Sequence, residues 1–178
     1  GLNFRISGGR ARSIMHELRF GETWLALDYE TPEAAGYKTE LLFEDPFVVI
    51  ARLGHEMLEG ELTREMFESA DQVAFVWGRE VGLSPLSQRL ARLGIERRVK
   101  YSVPNLVAVA AVASTCDLVG VLPLKVARGL ETIFPIGYRP IPFTVPPMPI
   151  YMVWHENFDG DEGHEWLRGT LKEIAAEI

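Results

Sequence analysis

The stretch "HENFDGDEGHEW", His155 to Trp166, gathers two His, two Asp, three Glu and one Asn into twelve residues. Residues of these types bind metals, so the spacing decides what they can do. A calcium loop of the EF-hand kind needs oxygen ligands at positions 1, 3 and 5, glycine at 6 and a bidentate Glu at 12. Asn157, Asp159 and Asp161 supply the first three, but position 6 is Glu162 and position 12 is the cation Arg168. A helical zinc site of the H-E-x-x-H kind puts its two His one turn apart. Here they stand nine residues apart, His155 on a strand end and His164 inside a helix. The stretch therefore predicts no metal site.

A helix start accounts for it better. Asp159 and Glu162 have capping-box spacing with Asp at the N-cap, and Asp161 and Glu162 place negative charge at the positive end of the helix dipole. Leu167, Leu171, Ile174, Ala175 and Ile178 then form one apolar face. Trp154 and Trp166 are expected in the core.

Other residues carry chemistry of their own. Gly8-Gly9 precedes a helix but lacks the G-x-G-x-x-G pattern of a dinucleotide site, so it predicts a plain strand-to-helix turn. Cys116 beside Asp117 could be a nucleophile; a cysteine buried at a helix-to-strand corner is the expectation. Arg79 follows a predicted strand, and its planar fork suits a carboxylate or phenolate, or else water. Asn105 stands at a predicted helix start. It can cap its own helix or present an amide to a ligand, and the two roles compete for one side chain. No acid/base pair or nucleophile–base set emerges, so no enzyme and no cofactor is predicted.

The chain of 178 residues is 47% hydrophobic and 24% charged, the composition of a globular protein. Its net charge of −7 and the lack of any Lys/Arg-rich stripe beyond "ERRVK" argue against nucleic-acid binding by these residues. One cysteine excludes an internal disulfide and fits a reducing, cytoplasmic setting. No apolar run reaches membrane-spanning length. The abrupt opening on "LNFRI", without Met, reads as part of a longer protein.

The elements that must position these residues follow from periodicity. Leu2–Ser7 alternates like a half-buried strand, and Ile14, Met15 and Leu18 have helical spacing that Gly21 stops. Trp24–Tyr29 predicts a buried strand. "KTELLFEDPFVVIAR" predicts two strands broken at Pro46, and "LTREMFES" a short helix. Then strands and helices alternate: "QVAFVW", "SPLSQRLARLG", "RRVKYSV", "PNLVAVAAVAS", "DLVGVL" and "PLKVARGLE", the last with Pro123 at its start. Such alternation predicts an α/β lobe with a mostly parallel sheet. "FPIGYRPIPF" is extended and "TVPPMP" a connection. "IYMVWH" is a returning strand before the last helix.

Five stretches in order resemble the effector-binding domains of LysR-type transcriptional regulators. "MVWHENFDGDEGHEWLR" is similar to their C-terminal tail, "LLFEDPFVVIARLGHEM" to their strand-and-crossover segment, and "LTREMF" to the helix that follows. "LGIERRVKYSVPNLVAVAAVASTCDLVGVLPLKVA" resembles the branch of nodulation and aromatic-degradation regulators. Departures are Trp24, where the family often has Asp, and Asn105, where many relatives of this branch have His.

The resemblance implies a two-lobed type 2 periplasmic-binding-protein-like α/β fold. Residues 1–70 would begin lobe I, 71–145 form lobe II, and 146–178 return to lobe I, whose first strand and helix are absent from this chain. It implies a small aromatic effector, neutral or anionic, in the cleft between lobes. The expected contacts are Tyr29, Arg79, Leu83, Pro104, Asn105 and Val153, in a mostly apolar pocket with one cation and one amide. It implies a homodimer or homotetramer, and DNA contact only through a helix-turn-helix domain outside these residues. The competing expectation is a solute-binding protein or enzyme on the same fold.

Overall fold

The computed structural model describes residues 4–6, 11–76 and 84–177, and no side chains for residues 11–13. The chain divides into two compact units. Gly1–Glu44 and Pro149–Ile178 make the first; Asp45–Met148, a continuous insertion, makes the second.

The second unit is built on β3 (Phe47–Arg52), an almost wholly buried strand. An apolar run without polar alternation belongs in a sheet covered on both faces. β3 lies between β6 (Gly120–Pro123) and β7 (Ile136–Pro140), antiparallel to both. β4 (Asp71–Phe75) pairs in parallel with β5 (Arg98–Val103). The amide of Val73 donates to Val119 O at 2.9 Å, and that of Val119 to Asp71 O at 3.1 Å, which joins β4 to the segment entering β6. The strand order is thus β5-β4-β6-β3-β7. Four strands, β4 to β7, run one way, as the alternation of strands and helices predicted, and β3 opposes them.

Strand alternation sends β3 into two cores. Phe47, Val49 and Ala51 face one cluster with Met57 and with Phe67, Leu86 and Leu90, which α2 (Arg64–Ser69) and α3 (Pro85–Arg92) supply. Val48 and Ile50 face the other with Val109, Ala113, Ala127 and Leu130, from α4 (Leu106–Ala113) and α5 (Leu124–Glu131). Gly120 is required there, because a Cβ would stand 2.6 Å from Val109 Cγ1. The sequence reading puts 45–70 in the first lobe. Those residues pack in the second unit, because the partners of β3 are β6 and β7.

Helix α5 shows how distant residues complete a local element. Pro123 ends β6 and occupies the N-cap without a side-chain cap. Asp45, 80 residues away, takes over: both its carboxylate oxygens accept from the Lys125 amide at 3.1 Å, while the Leu124 amide donates to Pro46 O at 2.8 Å. Asp45 is 3% exposed. Burial pushes its pKa up, and the Lys125 amide and charge only partly oppose that. Above the raised pKa the carboxylate is ionised both folded and unfolded, and the burial penalty is felt in full. As pH falls from there towards the ordinary Asp value, the folded state takes up the proton first, so this group adds stability on acidification. Asp45→Asn keeps an acceptor for Lys125 and removes the buried charge. We expect its melting temperature to exceed the wild-type value at neutral pH, and the gap to close at about pH 4. A gap that widened on acidification would refute this.

The first unit has a three-stranded sheet, β1-β8-β2, from β1 (Ala26–Asp28), β2 (Tyr37–Asp45) and β8 (Met148–His155). α1 (Ala11–Phe20) is held by a hydrogen bond from Tyr37 Oη to Met15 O at 2.7 Å. Gly21, at φ 73°, ends it. β1 is shorter than predicted and is not buried: Trp24 is 53% and Leu27 52% exposed, as befits a strand that among the described residues pairs with β8 alone. Phe4–Ile6, the described part of the predicted first strand, is exposed and has no strand partner among the described residues.

The N-cap of α6 (Glu162–Glu177) is Asp161, whose Oδ1 accepts from the His164 amide at 2.7 Å. Asp159, the expected cap, instead accepts from Trp154 Nε1 at 3.0 Å. Trp154 is buried as predicted. Trp166, expected in the core, and Ile174, expected on the apolar face, are half exposed; the better covered positions of α6 are His164, Leu167 and Leu171.

Candidate effector-binding site

The histidines of the acidic stretch use their ring nitrogens within the fold. His164 is fully buried. Its Nε2 stands 2.9 Å from Trp24 O and donates there, and its Nδ1 faces Arg168 Nη1. The Phe158 ring stacks on it at 5.0 Å, and Arg168 lies over Trp154 at 4.6 Å. His155 Nδ1 accepts the Asn157 amide at 3.2 Å. Among the described residues no group of three or more His, Cys, Asp or Glu side chains is placed to hold a metal ion, and no helix is long and apolar enough to cross a membrane. The Cys116 thiol donates back to Val112 O at 3.1 Å. Gly8-Gly9 lies outside the described residues.

In the second unit, one end of the sheet collects candidate residues. β4 and β5 are parallel with Phe75 opposite Val103, so the chain leading to Arg79 and the turn Pro104–Asn105 leave the same edge. Strand order also reverses at β4, which has β5 on one side and the start of β6 on the other. Ligands of open α/β sheets gather at such a carboxyl edge. Pro104 and Asn105 are exposed. Asn105 Oδ1 accepts the Ala108 amide at 2.8 Å and caps α4. The cap uses only the oxygen, so the two roles weighed for this side chain are compatible: its NH2 remains a donor. Arg79 and Leu83 lie outside the described residues.

The first unit contains a cavity of about 370 Å3. Ile14, Met15, Ala26 and Val153 give it an apolar wall, and Asp28, Glu30 and Glu33 line it with carboxylates. Val153 is buried and pairs with Ala26. Tyr29 is half-buried between two of these acids in sequence. Burial first, then the charges of Glu30 and Asp28, raise its pKa, so its hydroxyl stays protonated at neutral pH. The expected cation-and-amide character does not extend to this cavity, which no Lys or Arg lines among the described residues. The acidic run "DYETPE" was the available signal.

Comparison with known proteins gives this arrangement its context. The model of the LysR substrate binding domain matches residues 1–176. The transcriptional activator NagR of a Ralstonia species is 26% identical over 94% of this chain and 55% of its own length. The transcriptional regulator SyrM of Rhizobium meliloti is 30% identical over 79% of this chain and 43% of its own. The chain thus spans about half the length of these curated relatives. The effector-binding domain of QuiR, solved with shikimate, superposes with a TM-score of 0.70 over 95% of this chain and 79% of that one, at 13% identity. The fold is the type 2 periplasmic-binding-like fold of LysR effector-binding domains, and the chain belongs to the LysR substrate binding domain family.

Proposed function

We propose that this domain senses a small aromatic molecule carrying a hydroxyl or carboxylate, and that its occupancy sets the activity of a transcriptional regulator. DNA would be bound by a helix-turn-helix domain outside these residues, in the cytoplasm, and this domain would turn over no substrate. The observation that carries the reading is that β4 and β5 end at one edge, with Phe75 opposite Val103 and the Pro104–Asn105 turn next in the chain, in a chain of this family. A guanidinium and a primary amide there are donors suited to carboxylate and hydroxyl oxygens. Relatives named as transcriptional activators, and a fold neighbour solved with shikimate, support it.

Leu83, Pro104, Tyr29 and Val153 complete the proposed contacts, each to be tested by its own substitution. The ligand must bind one arrangement of the regulator better than another, or it shifts nothing. Thermal-shift screening of aromatic acids and phenols against the complete effector domain tests the reading. A hit whose stabilisation is reduced by Asn105→Ala, but not by Asn105→Gln, supports it. Hits unaffected by every one of these substitutions would reject the assigned residues. Self-association as a dimer or tetramer is part of the same proposal, and a monomer at micromolar concentration by light scattering would contradict it.

A further inference from the structure

The outward face of α6 works against its own helix. His164, Leu167, Leu171 and Ala175 lie on the covered side. At about 3.6 residues per turn, the opposite side presents Glu162, Glu165, Trp166, Gly169, Glu173 and Glu177. The four glutamates are exposed, and the Trp166 indole among them is half exposed.

Both cations of the helix are turned inward. Arg168 faces His164 Nδ1 and lies over the Trp154 ring at 4.6 Å. Lys172 Nζ pairs with Glu40 Oε1, on β2, at 2.6 Å. None of the four glutamates has an ion pair among the described residues. Glu162 and Glu165 stand in the first turn, where the helix dipole favours them. Glu173 and Glu177 stand one turn apart towards the other end. There like charges repel and the dipole opposes both, and the last turn holds no cation.

Gly169 adds to the misfit. Glycine weakens a helix interior relative to alanine. A Cβ at Gly169 would meet nothing within 4 Å, so no neighbour in the fold requires its absence. One turn to either side stand Glu165, Trp166, Lys172 and Glu173. The glycine therefore opens a gap in the face, bordered by an indole and carboxylates. Local choices that weaken the element they belong to are expected at functional sites.

We propose that this face of α6 docks a helix of a partner protein that carries Lys or Arg one turn apart among small residues. Its cations meet Glu165, Glu173 and Glu177, and its backbone approaches over Gly169. A cation there offsets the repulsion between Glu173 and Glu177 and the unfavourable dipole end together. The Trp166 ring offers the same cation a face that attracts it. An acidic helix is repelled, and a purely apolar one would bury the carboxylates unpaired. The face belongs to the first unit and does not depend on the effector reading.

The probes are the helical peptide Ac-(AAKAAAK)2-NH2 and its counterpart Ac-(AAEAAAE)2-NH2. Each is titrated into the full chain at low salt, with the Trp166 indole N–H resonance and calorimetry as readouts. The lysine peptide is expected to shift the Trp166 resonance and the glutamate peptide to leave it in place. Trp166→Ala and Glu173→Gln are each expected to weaken the lysine peptide several-fold. Glu131→Gln, the same charge change on α5, is expected to leave its affinity unchanged. Gly169→Gln is expected to raise the melting temperature and still weaken binding several-fold, which separates docking from folding. An unmoved Trp166 resonance, an equal loss in Glu131→Gln and Glu173→Gln, or undiminished binding by Gly169→Gln would each overturn the proposal. So would dimers that dissociate on Trp166→Ala, because a second copy would then be the occupant.

Discussion

Phe67→Ala is expected to destabilise the second unit by about 3–5 kcal/mol, the range for removing a fully buried aromatic ring. Phe67 is fully buried and meets Phe143 edge-on at 5.1 Å. It shares its cluster with Phe47, Val49, Leu86 and Leu90. α2 is six residues long, too short to hold itself by its own hydrogen bonds. Its cap, the Thr63 hydroxyl accepting from the Met66 amide at 3.2 Å, fixes only one end, so the ring is its anchor to the sheet. The Phe67 carbonyl also accepts from Gln72 Nε2 at 2.9 Å, and Gln72 Oε1 in turn accepts from Arg97 Nε at 2.7 Å. Alanine keeps that carbonyl, but a helix that shifts to fill the void would pull it off Gln72, which is itself fully buried. The loss should therefore lie in the upper part of the range. Urea unfolding followed by circular dichroism measures it; a loss under about 1.5 kcal/mol would mean that the site collapses freely and that α2 is held by other contacts.

What the sequence shows of this fold depends on how local the cause is. The break between β2 and β3 at Pro46 follows from proline's missing N–H alone. Ser84, with Pro85 behind it, announces the start of α3, and Leu86 and Leu90 its buried face. "FVVIA" reads as a strand covered on both sides because no polar residue interrupts it. Pairing partners are a different matter. Nothing in 45–70 says that β3 will lie between strands about 70 and 90 residues further on. For that reason the first boundary between units was expected near 70 and stands at 44/45.

Competition between neighbours is equally hidden. Asp159 and Asp161 both suit an N-cap, and the spacing to Glu162 favours the former. The indole of Trp154, on the strand before the helix, claims Asp159 and leaves Asp161 as the cap. Trp166 has the periodicity of a core residue only while the helix is imagined covered all round. The candidate site divides along the same line. Asn105 as a cap was legible from its place before an apolar helix. The carboxylates of the first-unit cavity stand together in the run from Asp28 to Glu33, but that Ile14, Met15 and Val153 join them in one cavity depends on contacts across the chain that no spacing encodes.

The second large effect concerns Arg79. With an anionic effector identified by the screen, Arg79→Ala is expected to weaken binding by about 1.5–3 kcal/mol, the range for a hydrogen bond to a charged group. In affinity that is roughly 10- to 150-fold. The chain reaches Arg79 from the carboxyl end of β4, where Phe75 stands opposite Val103, and Pro104 and Asn105 follow Val103. The proposed site would bring a fork of N–H donors from Arg79 and the Asn105 amide to that edge. Each alone binds oxygen weakly in water; converging on one ligand they select a carboxylate over its neutral analogue. Arg79→Lys separates charge from geometry. Lysine keeps the attraction but not the two parallel N–H bonds, so it should recover part of the loss. The amide analogue of the same effector supplies the control, since a carboxylate contact predicts that wild type and Arg79→Ala bind it nearly alike, as in a double-mutant cycle. Unchanged affinity for the acid in Arg79→Ala would remove Arg79 from the site while leaving the family assignment in place. A loss equal for acid and amide would show that Arg79 supports the fold of that edge and does not touch the ligand.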